Sequence, residues 1–169
     1  MFTKILLSID DSDMTKHVVD EAVSLAKATG GSLMFLHVIF PLDQPYYDTL
    51  FMQPTILYSE LQKETQKRNL SEWEQFKQDK ENWLRDLCES ANSAGTKAEF
   101  TLNIGEPSSR ICDMARSWNA DVIVIGRRGR RGFTEMFLGS VSNYVMHHAP
   151  CSVLTVQGPT VAIREASQQ

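Results

Sequence analysis

Cysteine is scarce in this chain. Cys88, Cys112 and Cys151 are the only three, and an odd set without Cys-x2-Cys spacing supports neither a disulfide framework nor a zinc site. Reduced core thiols are the reading that remains. Long apolar runs are missing too. The first one, "ILLSI", is cut off by Asp10 and Asp11, too short for a signal peptide or a membrane span, so no membrane association and a cytoplasmic location are expected. Basic charge does not predominate: 17 Lys and Arg stand against 21 Asp and Glu, a formal charge of -4. That balance argues against a protein whose main work is coating nucleic acid.

What is present is ordinary globular composition, 42% hydrophobic and 22% charged over 169 residues. A single domain of that size buries roughly 70% of the surface its unfolded chain exposes and needs no staples. The run at residues 3 to 9, "TKILLSI", reads as a strand buried on both faces. Ser12 or Asp13 is placed to cap a helix carrying Val18, Val19, Ala22, Val23, Leu25 and Ala26 at helical spacing, and Gly30-Gly31 ends it. "SLMFLHVI" (32 to 39) is a second strand. Strand, helix and strand within about forty residues form a βαβ unit, with parallel strands and a right-handed crossover.

From 40 to 69 the rhythm breaks. Pro41, Pro45 and Pro54 sit with Tyr46, Tyr47, Phe51 and Tyr58 among polar residues, an excursion that reads as a lid, a packing flap, part of a subunit contact or a loop covering a core edge. Helical spacing resumes with Leu70, Trp73, Phe76, Leu84, Leu87, Cys88 and Ala91, and stops at Gly95. "KAEFTLNI" (97 to 104) alternates like a strand near an edge. The next helix has Pro107 in its first turn and Ile111, Met114, Ala115 and Trp118 as its buried stripe. "ADVIVIG" (120 to 126) is a central strand, "GSVSNYVMHHAP" a helix with Val141, Tyr144 and Val145 inward, and "CSVLTVQ" (151 to 157) a fifth strand. The class is α/β, a doubly wound five-stranded parallel sheet flanked by helices, Rossmann-like. One domain over 1 to 157 and a frayed tail over 158 to 169 are expected. Ligands of such sheets sit at the carboxyl ends of the strands, where strand order reverses.

That rule directs attention to "GRRGRRGFTEMFLGS", residues 126 to 140, where seven residues hold four arginines and three glycines. Glycines admit positive φ and close approach to an anion, and a helix start offers free N–H groups at its positive dipole end. Ser140 and Ser142 add hydroxyls there. The loop is neither a Walker A sequence nor a GxGxxG fingerprint. By physics alone it is either a phosphate cradle or a turn that needs glycine for its geometry.

The spacing Gly-x2-Gly-x9-Gly-Ser over Gly126, Gly129, Gly139 and Ser140, within "DVIVIGRRGRRGFTEMFLGSVSNYVMHHAPCSVLTV", closely resembles the ATP-binding signature of the universal stress protein family. "KILLSIDDSD" and "LHVI" resemble the family's first and second strands, so the likeness covers residues 2 to 39 and 97 to 157. It implies ATP as ligand, with ADP, AMP or a cyclic nucleotide as alternatives; any Mg²⁺ is expected, from the residues, to be held mainly through the phosphates. It also implies Asp10 at the ribose, where the residues alone favour a turn or helix cap. The backbone of Val38 would meet the adenine, the turn from Gly126 to Gly129 the ribose and phosphates, and Gly139, Ser140, Val141 and Ser142 the phosphates. Arg127, Arg128, Arg130 and Arg131 depart from the commoner family pattern, which resembles Gly-Ser/Thr-His-Gly followed by one basic residue. Arg128 or Arg130 is expected to face the phosphates, the rest to stay solvated or meet an acidic partner.

The resemblance further implies a homodimer paired through the edge strand Ser152 to Val156, with a higher oligomer as an extension. Catalysis has little support in the residues: Asp10 and Glu135 are the candidates beside the loop and belong to no recognisable constellation, and His147 and His148, adjacent on a helix, face different ways. A binding protein of stress physiology, a sensor or regulator and at most a slow ATPase, is the first reading. An enzyme transferring adenylate or phosphoryl groups, and an arginine-mediated scaffold for nucleic acid or an acidic partner, are the alternatives.

Overall fold

In the computed structural model of the chain, the structure describes residues 1–43, 60–127 and 138–158, the side chains of 43 and 60–62 excepted. Its elements are β1 (Lys4–Ser8), α1 (Thr15–Thr29), β2 (Ser32–Ile39), a 3-10 turn (Pro41–Asp43), α2 (Glu60–Ser93), β3 (Lys97–Ile104), α3 (Pro107–Trp118), β4 (Val122–Gly126), α4 (Ser140–His148) and β5 (Ser152–Val156). The five strands form one sheet of order β3-β2-β1-β4-β5, every pairing parallel.

That order follows from the apolar pattern. β1 has Ile5, Leu6 and Leu7 at 0% exposure, a run that is stable only with a strand on either side and a layer on either face. Alternate residues divide the core. Ile5, Leu7, Leu33, Phe35, Val122 and Val124 pack on the face covered by α1 and α2, with Val18, Ala22, Ala26, Leu84, Cys88 and Ala91. Leu6, Met34, Leu36, Ile123 and Ile125 pack on the other face with Ile111, Cys112, Ala115 and Val145 of α3 and α4. The chain lays down β1, β2 and β3 in one direction and then returns past β1 to β4 and β5. With right-handed crossovers, that reversal is what sends α3 and α4 to the opposite face from α1 and α2. β1 and β4 are therefore neighbours whose following segments diverge to opposite layers, leaving a cleft at their carboxyl ends.

Local chemistry sets the helix ends. Gly30 closes α1 in the left-handed region, φ 66° and ψ 21°, donating its N–H to Ala26, where a Cβ would be strained. Glu106 caps α3 by accepting from the N–H of Ser108 and Ser109, with Pro107 following. Burial pushes the Glu106 carboxyl up, but hydrogen bonds from Ser108 and Ser109 outweigh it and leave it below the usual carboxylate range.

Four expectations change. The α1 cap is Met14, without a side-chain cap bond, because the Ser12 hydroxyl is committed to Asp10. α2 begins at Glu60 rather than near Leu70: residues 60 to 69 are, apart from Thr65 and Asn69, strong helix formers without an apolar stripe, so periodicity is blind where propensity is not. Leu70 is 47% exposed, whereas Trp73, three residues on, is buried at 6%. Tyr144 is likewise exposed, stacked on His148 with ring centroids 3.9 Å apart. Residues 44 to 59, with the aromatics of the predicted excursion, lie outside the described residues.

Candidate functional site

Asp10 stands two residues past the end of β1, at the sheet's point of reversal. Its Oδ1 accepts from the Ser12 N–H at 3.2 Å and the Ser12 hydroxyl at 2.5 Å, and its backbone carbonyl accepts from the Thr15 hydroxyl. These bonds turn the chain from β1 into α1. They also fix the carboxylate in a half-buried position.

Val38 is the last residue but one of β2, two residues beyond the end of its pairing with β1. Gly126 ends β4 on β1's other side, opposite Val156. Three bonds fasten the start and finish of the glycine and arginine loop: Arg127 N–H to Val156 carbonyl at 2.8 Å, Gly139 N–H to Arg127 carbonyl at 2.9 Å, and the Ser142 hydroxyl to Gly126 carbonyl at 2.7 Å. The chain leaves β4 at Arg127 and returns beside it at Gly139, which delivers the first turn of α4 to the carboxyl end of the sheet. Arg128, Gly129, Arg130, Arg131 and Glu135 lie outside the described residues; Arg127 is half-buried.

Two details of the loop differ from the sequence expectation. Gly139 has φ -60° and ψ 153°, a conformation open to any residue, so positive φ is not its reason. What glycine supplies there is the absence of a side chain over the first turn of α4. Ser142 is buried, and its hydroxyl proton goes to Gly126, so the side chain clamps helix to strand; Ser140, by contrast, is exposed. The helix start presents the N–H groups of Ser140, Val141 and Ser142, the first three of α4, at its positive dipole end.

Residues beside this cleft have structural duties. Asp11 is bridged by Lys80 of α2 at 2.8 Å, tying the β1–α1 turn to that helix. A groove of about 690 Å³ lined by Ser12, Lys16, Trp83 and Leu87 lies between α1 and α2, on the far side of that turn from α4. Cys88 and Cys112 are buried and Cys151 half-buried, all three unbridged, and burial raises each thiol above its usual pKa, which disfavours the nucleophilic thiolate. Among the described residues no cluster of three or more His, Cys, Asp or Glu is arranged to hold a metal ion, and no helix is long and apolar enough to cross a membrane.

Sequence reading missed His37, the polar residue inside the apolar β2. It is 1% exposed, places Nδ1 2.9 Å from the Ile9 carbonyl, and meets Trp83 edge-on with centroids 5.3 Å apart. The available signal was a histidine within the apolar run "MFLHVI", where a buried imidazole must find polar partners.

A doubly wound parallel sheet with a glycine loop and helix start at its switch point defines a class of small α/β domains suited to anionic ligands. The family model described as Universal stress protein family matches residues 1–157, and the chain belongs to that family. It is 36% identical over 159 residues to Universal stress protein Sll1388 of Synechocystis sp., covering 92% of this chain and 98% of the relative. Among solved structures, a universal stress protein in complex with cAMP aligns with TM-score 0.60 at 21% identity, covering 94% of this chain and 98% of the other. The universal stress protein from Archaeoglobus fulgidus in complex with dAMP aligns with TM-score 0.59 at 21% identity, covering 91% and 97%.

Proposed function

We propose that this protein binds an adenine nucleotide, with ATP as the resident ligand, in the cleft between the β1–α1 turn and the start of α4, and acts as a dimeric stress-response sensor or regulator. One observation carries the reading: Asp10, Val38, Gly126 and the first turn of α4 converge on the carboxyl ends of β1, β2 and β4, where the strand order reverses. A carboxylate suited to two ribose hydroxyls stands on one side and a helix N-terminus suited to phosphate on the other. Relatives of the same fold solved with cAMP and dAMP support the adenine nucleotide class. Mg²⁺ would be held mainly by the phosphates. Mass analysis of small molecules released from purified, heat-denatured protein tests the choice of ligand. ATP is expected in near-stoichiometric amount; a different resident nucleotide would replace ATP in this reading.

The arginines are assigned to the phosphates through Arg128 or Arg130. A charge-assisted hydrogen bond contributes about 1.5 to 3 kcal/mol, so the double variant Arg128→Ala, Arg130→Ala is expected to weaken ATP binding about tenfold or more by calorimetric titration. An unchanged dissociation constant would leave the helix start as the whole phosphate grip.

Dimerisation is assigned to β5. It is an edge of the sheet, and Leu154, at 42% exposure, and Met146 of the adjoining α4, at 53%, leave apolar surface beside it. An edge with unpaired backbone groups and apolar neighbours invites a second copy about a two-fold axis. Leu154→Arg is expected to shift sedimentation from dimer to monomer at micromolar concentration. A dimer that survives this substitution would move the interface elsewhere.

A further inference from the structure

We infer that His37 is a positioning residue of the nucleotide site: its ring ends the β1–β2 ladder one bond early and so turns the Val38 peptide into the cleft. β1 and β2 pair from Lys4 opposite Ser32 to Ser8 opposite Leu36, and Ile9 N–H adds a bond to the Leu36 carbonyl at 3.0 Å. A parallel ladder alternates, so the peptide groups of Leu36 and Val38 face β1 while those of His37 face β3. The next bond of the ladder would run from Val38 N–H to the Ile9 carbonyl, but pairing stops short of it. The Ile9 carbonyl accepts from His37 Nδ1 at 2.9 Å. A carbonyl only accepts, which fixes the hydrogen on Nδ1.

Two consequences follow from that substitution of donor. The N–H and carbonyl of Val38 look past the end of β1 into the cleft, which is what a base edge requires of a backbone. The Ile9–Asp10 peptide is one rigid plane, so holding the Ile9 oxygen also sets the direction in which the chain reaches Asp10. His37 is itself held by its buried seat on β2 and by the edge of Trp83. Through one hydrogen bond a residue buried beneath the sheet's end organises both the base-facing peptide and the ribose-facing carboxylate.

The ladder geometry stands without a ligand, whereas its consequence for affinity rests on the nucleotide reading above; the experiment separates them. In ligand-free wild-type protein, amide hydrogen exchange followed by NMR is expected to show Val38 exchanging at least tenfold faster than Leu36. In His37→Leu the Val38 amide is expected to close onto Ile9 and slow by at least tenfold, while ATP binding weakens by tenfold or more. His37→Asn, whose side-chain N–H₂ replaces the Nδ1 donor, is expected to restore both. A Val38 amide as protected as Leu36 in the wild type overturns the inference whatever the protein binds, and does so even if His37→Leu fails to fold. Fast Val38 exchange with no nucleotide binding would leave the ladder as described and reject the function. Should ATP affinity prove equal in wild type and a folded His37→Leu, the positioning role is refuted.

Discussion

Asp10→Ala is expected to weaken ATP binding by about a hundredfold. In the proposed site the carboxylate would accept from both ribose hydroxyls, and hydrogen bonds to a charged acceptor contribute about 1.5 to 3 kcal/mol each, so the loss of one to two of them corresponds to roughly tenfold up to about twenty-thousandfold. The same side chain accepts from the Ser12 N–H and hydroxyl, so the substitution also loosens the β1–α1 turn. A second ligand separates the two effects. Wild-type protein should bind 2′,3′-dideoxy-ATP about as weakly as the variant binds ATP, and the variant should show little further loss with the dideoxy compound. If the variant still discriminates between the two ligands, the ribose is read by some other group.

Phe35→Ala is expected to destabilise the fold by about 3–5 kcal/mol, the range of large-to-small substitutions at buried aromatic positions. Phe35 lies in β2 at 0% exposure, within the core formed with Val18, Ala22, Ala26, Leu84 and Val124. Strands on both sides and helices above leave the cavity little room to collapse. Against a typical total of 5–15 kcal/mol, that loss leaves a marginal domain. Urea unfolding followed by circular dichroism should show the midpoint moving far lower with an unchanged slope. A loss under about 1 kcal/mol would mean that the α1–α2 layer is not packed as described.

These effects arise from features of unequal visibility in the sequence. Strands such as Lys4–Ser8 and Val122–Gly126 were legible because residues buried on both faces must be apolar without interruption. The doubly wound class followed from their alternation with helices, and the glycine spacing led to the family. The α2 start at Glu60 was not legible from periodicity, because residues 60 to 69 carry no apolar stripe. Leu70 and Tyr144 looked inward on a helical wheel, yet neither meets the core, since a wheel records angle and not where the neighbouring layer ends. Ser12 and Ser142 show the same limit for polar groups. Each hydroxyl found a long-range or turn partner, Asp10 and Gly126 respectively, that spacing along a helix does not reveal. His37 escaped notice because its inferred role lies in the register of two strands, where a ladder stops one bond early.

Calorimetric titration of ligand-free protein with ATP, repeated with GTP, tests the central claim most directly. The account predicts one ATP per chain with a dissociation constant in the micromolar range or below and at least tenfold weaker GTP, since the proposal sets the Val38 peptide against the base edge. Absence of heat for ATP, ADP, AMP and cAMP up to millimolar concentration would contradict it.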